Sequence, residues 1–239
     1  MSTTAATPQT TVVSRVDHLV VAAASLEQGV EWCEATLGIT PGPGGEHPLM
    51  GTHNRLFSVA SMAYPAAYLE IIAIDPGAPC ARKTGARRWF DLDDPVLQAN
   101  LAAHGPRLVH FVASTASAQT GTKALKRLGL DRGELLQASR QTPNGLLSWK
   151  ITVREDGQRL FYGALPTLIE WGDVHPVNSM AESGVSLTSL QASHVRPAAL
   201  QAAYDAIGLV RVELVQGRPR LAATLETPRG VVTLESQGI

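Results

Sequence analysis

From Val16 to Ala23 the chain is apolar except for Asp17 and His18, which predicts a short buried strand carrying one histidine. Ser25, with Gln28 in the capping-box position, opens a helix whose rough apolar face is Val30, Cys33, Ala35 and Leu37. Gly38 ends it. Pro41-Gly42-Pro43-Gly44-Gly45 is too rich in breakers for regular structure. Thr52–Ala60 and Ala67–Ile74 then read as strands, the second with Leu69 and Ile71 on one face and Tyr68, Glu70 and Ile72 on the other. The order is strand, helix, three strands, with Ile39 starting the first extended piece.

The pattern returns twice. Residues 108–113 (Leu-Val-His-Phe-Val-Ala) restart it, Ala118–Leu128 reads as a helix ended by Gly129, and strands are predicted near 134–140, 146–153 and 159–170. Pro143-Asn144-Gly145 and Asp156-Gly157 are hairpin signals. A third round begins near Gly184: a strand at Val185–Ala192, a helix opened by Pro197 and closed by Gly208, and strands at 210–215, 220–226 and 230–235. Three βαβββ units are therefore expected, an α+β chain of repeats. His18 of the first unit matches His110 of the second. Tyr68-Leu69-Glu70 matches Leu168-Ile169-Glu170. The third unit carries Ser189 for the histidine and ends in Leu234-Glu235. The divisions are a disordered tail at 1–14, modules at 15–75, 108–176 and 184–236, and a connector at 76–107. In the connector Trp89, Phe90, Leu92, Val96, Leu97 and Leu101 predict a short helix covering the sheet.

Composition narrows the class. A formal net charge of −1 over 239 residues gives no nucleic-acid footprint, and Arg82-Lys83…Arg87-Arg88 reads as a solvated connector. No apolar run approaches a membrane span, and the first residues lack the basic start and apolar core of a signal peptide. Cys33 and Cys80 make no metal spacing and suit a reducing cytoplasm. The expected partner is a small molecule.

The element order, with a polar residue in the first strand and a glutamate ending the fourth, resembles the vicinal oxygen chelate superfamily over residues 15–236. That superfamily includes glyoxalase I, extradiol dioxygenases, methylmalonyl-CoA epimerase and fosfomycin-resistance proteins. Gly44-Gly45, His47-Pro48, Gly51-Thr52-His53-Asn54-Arg55-Leu56, Tyr68-Leu69-Glu70, Ile169-Glu170-Trp171-Gly172 and His175-Pro176 resemble its glyoxalase-like domain branch. The resemblance implies that two modules pair into an open, curved, mixed-sheet barrel around a cleft, with the third, smaller module C-terminal. It also implies a metal quartet of His18, Glu70, His110 and Glu170, the residue types of bacterial glyoxalase I.

Two imidazoles and two carboxylates suit Zn, Ni, Co, Mn or Fe and do not choose among them. Such an ion would act as a Lewis acid on a substrate with adjacent oxygens, with Glu70 or Glu170 taking a proton from carbon toward an enediolate. A rival triad of His18, His53 and Glu70 leaves His110 and Glu170 to hydrogen bonding, and a subset of two histidines and a glutamate resembles an iron dioxygenase site. His53, Asn54, Arg55, Trp149 and Trp171 are the candidate substrate contacts: Asn54 and Arg55 for a carboxylate or phosphate, the tryptophans as an aromatic wall. A surface charge for Arg55 and core packing for the tryptophans are the plainer uses. His47 could face the cleft near His18, and Arg140 could reach it, a free surface arginine being the plainer use; His175 starts a turn with Pro176 and reads as structural, although the resemblance keeps it in play; His104 and His194 receive no role. The functional expectation is metal-dependent isomerase or lyase chemistry on a small vicinal-oxygen substrate. A non-catalytic binding or resistance protein and an iron dioxygenase are the alternatives. The third module is expected to dock on the other two or to meet its copy in a homodimer.

Overall fold

The structure, a computed structural model, describes residues 13–142 and 145–236. Its centre is β1 (Ser14–Ala22), paired antiparallel with β5 (Arg107–Thr115), with Leu19 opposite Phe111. Both strands are apolar on both faces because both faces are covered. After β1, α1 (Leu26–Leu37) starts where the Ser25 hydroxyl accepts from the Gln28 N–H and the Gln28 side chain accepts from the Ala24 N–H, a reciprocal cap. It stops at Gly38, whose φ of 78° suits glycine. The short β2 (Glu46–His47) then leads through β3 (Thr52–Ser58) to β4 (Tyr68–Ile74), and β4 returns parallel to β1. The second half repeats this: α3 (Ala118–Arg127), capped by Ser117, then β6 (Glu134–Thr142), β7 (Gly145–Val153) and β8 (Thr167–Trp171), which runs parallel to β5. The order β2-β3-β4-β1-β5-β8-β7-β6 is thus one curled eight-stranded half-barrel of two equivalent halves.

The helices lie close on the convex side. Gly29 of α1 sits directly over Ile71 of β4, and a Cβ there would collide with the isoleucine's Cγ2. Gly121 of α3 stands over Leu168 of β8 in the same way, its notional Cβ 2.6 Å from Cδ1. The concave side is half filled by the connector. Trp89, Phe90 and Leu92, with Leu97 and Leu101 of α2 (Pro95–His104), pack on Val20, Ile72, Val112, Ile151 and Ile169. Phe90 and Asp91 hold left-handed backbone there, φ 60° and 59°, fastened by the Asp91–Arg159 ion pair at 2.8 Å.

The third module keeps the element order but not the pairing. It consists of β9 (Ser186–His194), α4 (Pro197–Ala206), β10 (Glu213–Gln216), β11 (Arg220–Thr227) and β12 (Gly230–Glu235), in the sheet order β10-β9-β11-β12. Its first strand lies between the second and third, so the fourth is left at the edge. The expected match of Ser189 and Glu235 to the cleft pair is therefore corrected: both are exposed, and Glu235 meets Arg220 at 2.8 Å. This module docks on the convex side, where Leu187, Leu190, Leu200, Tyr204, Ile207 and Leu221 join one core with Leu19, Leu69, Phe111 and Leu168. The Tyr204 hydroxyl donates to the Ala164 carbonyl at 2.7 Å. Leu187 exchanges backbone and hydroxyl bonds with Val59 and Ser61.

The strand expected at 159–170 begins only at Thr167. Residues Leu160–Gly163 form a 3-10 turn in which Phe161 and Tyr162 take positive φ, while Arg159 is tied to Asp91 and to the Val109 carbonyl. The expected disordered tail falls outside the described residues apart from Val13 and Ser14, and Ser14 already belongs to β1. Residues 143 and 144 of the expected turn also lie outside them, although the β6–β7 ladder closes from Thr142 to Gly145. No helix among the described residues is long and apolar enough to cross a membrane.

Gly29→Ala is expected to destabilise the protein by about 1–3 kcal/mol through overpacking on Ile71, although alanine is the better helix former. The shift in urea midpoint measures it.

Candidate active site

The pairing of β1 with β5 shifts register between Val16 and His18, and Asp17 falls in the irregularity. Its carboxylate is fully buried. Oδ1 lies 2.7 Å from His18 Nδ1, and Oδ2 accepts from Trp171 Nε1 at 2.9 Å and meets His175 Nε2 at 3.0 Å. Burial alone would raise the Asp17 pKa, but the hydrogen bonds from His175 and His18 outweigh it and hold it at about 2. An ionised carboxylate thus sits behind the imidazole and orients it.

His18 shares its face of the sheet with Glu70, which stands beside Val20 on β4. Glu70 Oε1 accepts from Asn54 Nδ2 at 2.6 Å, and the Asn54 oxygen accepts from the Gly45 N–H at 2.7 Å, which fixes the amide's orientation. Glu70 Oε2 stands 3.6 Å from His18 Nε2, beyond hydrogen-bond length, so both atoms keep capacity for a ligand. His47 continues the network, with Nε2 3.4 Å from Asn54 Nδ2 and Nδ1 3.1 Å from Thr52 Oγ1. Burial lowers its pKa, which favours neutral imidazole. Tyr68 stacks on His18 with centroids 4.5 Å apart; burial and the Asp17 and Glu70 charges raise its phenol pKa well above the usual value.

Around this polar floor stand Trp149, Trp171, Trp89, Phe90, Leu56 and Ile169, enclosing a cavity of about 50 Å³. A second space of about 380 Å³ shares Leu56, Arg140, Leu147 and Pro176 with it and forms a vestibule. Arg140 reaches across from β6 to the first half, its guanidinium lying where a side chain on Gly45 would be. Among the described residues it has no hydrogen-bond or ion-pair partner.

The structure brings His18, Glu70, Asn54, Trp149 and Trp171 together but not the expected quartet. His110 is sealed in the second half. Its Nδ1 lies 2.9 Å from the Gly163 carbonyl, and its Nε2 accepts from the Thr167 N–H at 3.1 Å and lies 3.0 Å from the Thr167 hydroxyl. Burial and the nearby Arg132 and Arg159 charges push its pKa well below the ordinary value. Glu170 faces the convex side, where it accepts from the Ala118 N–H at 3.0 Å and pairs with Lys150 at 2.7 Å. Burial opposes ionisation, but these bonds keep its pKa below the normal glutamate value.

Strand register explains the error. Val20 pairs with Glu70 on β4, and the equivalent Val112 pairs with Thr167 on β8, so Thr167 occupies the place of Glu70. The helix glycines agree, since Gly29 covers Ile71 and Gly121 covers Leu168, each one residue further along. His53 and Arg55 alternate with Asn54 and so face α1, where both lie near Glu27. The rival His18–His53–Glu70 triad therefore does not form, and Arg55 is exposed. Among the described residues no group of three or more histidine, cysteine or acidic side chains is placed to hold a metal ion. His18 Nε2 and Glu70 Oε2 are two donors of the four a quartet requires, so the residues do not fit that centre. Sequence reasoning missed Asp17, because alternation assigns it to the face opposite His18 and only the irregular pairing returns it.

Paired βαβββ halves around one buried histidine–carboxylate cleft define the class. The glyoxalase-like domain family model matches residues 16–208, and the chain belongs to that family. No curated protein is significantly similar to it in sequence. A hypothetical protein from Staphylococcus aureus shares its fold, with a TM-score of 0.55 at 12% identity over 93% of this chain and 85% of the other. A methylmalonyl-CoA epimerase in complex with methylmalonyl-CoA and NH4+ aligns at TM-score 0.42 and 18% identity over 68% of this chain and 98% of its own. The epimerase from Mycobacterium tuberculosis aligns at 0.38 and 14% over 73% and 97%. At 12% identity the Staphylococcus aureus structure shows the fold alone.

Two outcomes follow from the geometry. Folding lowers the Asp17 pKa from 3.8 to about 2, so the associated stability, about 2 kcal/mol, is complete above pH ~4 and is lost as pH falls toward ~2. Asp17→Asn is expected to be less stable than wild type at neutral pH, with the gap narrowing below pH ~4 in urea titrations. Glu170→Ala is expected to cost no more than about 1 kcal/mol, as a partly exposed ion pair and helix-start contact, by the same measurement.

Proposed function

We propose that the cleft is the active site of an enzyme moving a proton on a small anionic substrate with adjacent oxygens, isomerase- or lyase-type chemistry. One observation carries this reading: His18 is held at Nδ1 by ionised Asp17 while Nε2 faces Glu70 Oε2 across 3.6 Å in the cavity. The Asp17 bond directs the proton to Nδ1 and leaves an Nε2 lone pair toward the ligand, and the carboxylate stabilises the imidazolium that forms when Nε2 takes a proton. Asn54 occupies one oxygen of Glu70, so Oε2 is left to accept from a substrate hydroxyl or to exchange the proton. Arg140 supplies a guanidinium for a substrate carboxylate or for charge building on oxygen. Trp149 and Trp171, 5.8 Å apart, form an apolar wall that excludes water.

Superfamily members commonly supply a divalent ion as Lewis acid, but the four-ligand centre is not assembled here and no step is assigned to one. The 380 Å³ vestibule also suits a non-catalytic binding protein.

A panel of hydroxy acids, keto acids and ketoaldehyde–thiol adducts tests the reading. Turnover is expected, falling about 10²–10⁴-fold in His18→Ala and unchanged in Glu170→Ala. Turnover in His18→Ala equal to wild type overturns it. Ligand-induced stabilisation that depends on Arg140, with no turnover, replaces it by the binding protein.

A further inference from the structure

The floor of the cleft is much smaller than the space beside it. The inner cavity, about 50 Å³, has room for roughly four water-sized bodies. That is close to the size of a carboxylate with its neighbouring carbon and oxygen. The vestibule, about 380 Å³, holds several times more. Leu56, Arg140, Leu147 and Pro176 line both spaces. A ligand larger than such a head group therefore extends past Arg140.

The first half of the sheet makes room for that arginine. Its guanidinium takes the space that a side chain on Gly45 would fill. The Gly45 N–H donates to Asn54, and Asn54 donates to Glu70. The cation thus stands beside the residues that hold the floor carboxylate in place.

The two spaces differ in chemistry. The floor carries His18, His47, Asn54, Tyr68 and Glu70. Beyond Arg140 the vestibule presents Pro43, Val174, Met180 and Ala181, and among the described residues lining it the exposed Glu182 is the one other charge. No second cation lines it, among those residues, to pair with a phosphate or a further carboxylate. Its outer wall is the segment 174–183, which crosses to the third module. His175 ties that segment to Asp17 at 3.0 Å, and the Ser183 hydroxyl donates to the Ser58 carbonyl at 2.5 Å. An apolar space of this kind favours an apolar guest.

We propose that the ligand is a 2-hydroxy or 2-oxo acid with an apolar tail. The head lies on the floor with its carboxylate on Arg140, and the tail lies in the vestibule. This rests on the floor being the place of an anionic head, as proposed above, and adds what lies beyond it. A tail bearing phosphate or a second carboxylate finds no partner there.

Dissociation constants for lactate, 2-hydroxybutyrate, 2-hydroxyhexanoate and 2-hydroxyoctanoate, measured calorimetrically on the whole chain, test it. Affinity is expected to rise by up to about fourfold for each added methylene. The dicarboxylate 2-hydroxyadipate is expected to bind more weakly than 2-hydroxyhexanoate, which has the same chain length. Met180→Glu is expected to flatten the rise, and Val174→Asp serves if that variant does not fold. Arg140→Gln is expected to weaken every member about 10–100-fold while keeping the rise. Equal affinity along the series, no binding by any member, or 2-hydroxyadipate binding as tightly as 2-hydroxyhexanoate overturns the proposal. Turnover is read separately: a rise in affinity without turnover keeps the tail site and removes the proton-transfer reading, and turnover with a flat series does the reverse.

Discussion

β1 and β5 lie side by side with Leu19 opposite Phe111, and strand alternation then decides which side chains can meet. His18 and His110 fall on the concave face, two residues apart across the seam, because Val20 pairs with His110 and His18 with Val112. The parallel strands β4 and β8 add the next layer in a fixed register. A shift of one residue would send every concave group into the helical core. The dense packing of Gly29 on Ile71 and Gly121 on Leu168 opposes such a shift.

Electrostatics on the first half converge on Asp17. Its two oxygens meet His18, Trp171 and His175, so strands from both halves and the segment after β8 are tied to one buried charge. That leaves His18 with a single free nitrogen and a defined direction. Glu70 is treated similarly by Asn54. The groups facing the ligand are thus each held from behind, the arrangement a preorganised site requires.

The halves have diverged in chemistry while keeping the backbone. Where the first has Glu70 beside a histidine with a free nitrogen, the second has Thr167 and Arg132 around a histidine bonded at both nitrogens. The connector divides the concave face between them, and the third module covers the convex face.

The sequence by itself determined the three βαβββ element orders, the helix cap at Ser25, and the family resemblance, because these follow from local periodicity and side-chain chemistry along the chain. It also marked His18, Glu70, Asn54, Trp149 and Trp171. Tertiary structure decided the rest. Glu170 reads like Glu70 in sequence, yet the turn at Leu160–Gly163 delays β8 and hands the equivalent place to Thr167. Asp17 enters the site through irregular pairing with a strand about ninety residues away. Only the pairing of β9 between β10 and β11 removes the third module from the cleft's chemistry. Register and strand neighbours are long-range choices, settled by which surfaces bury each other, and no local pattern encodes them.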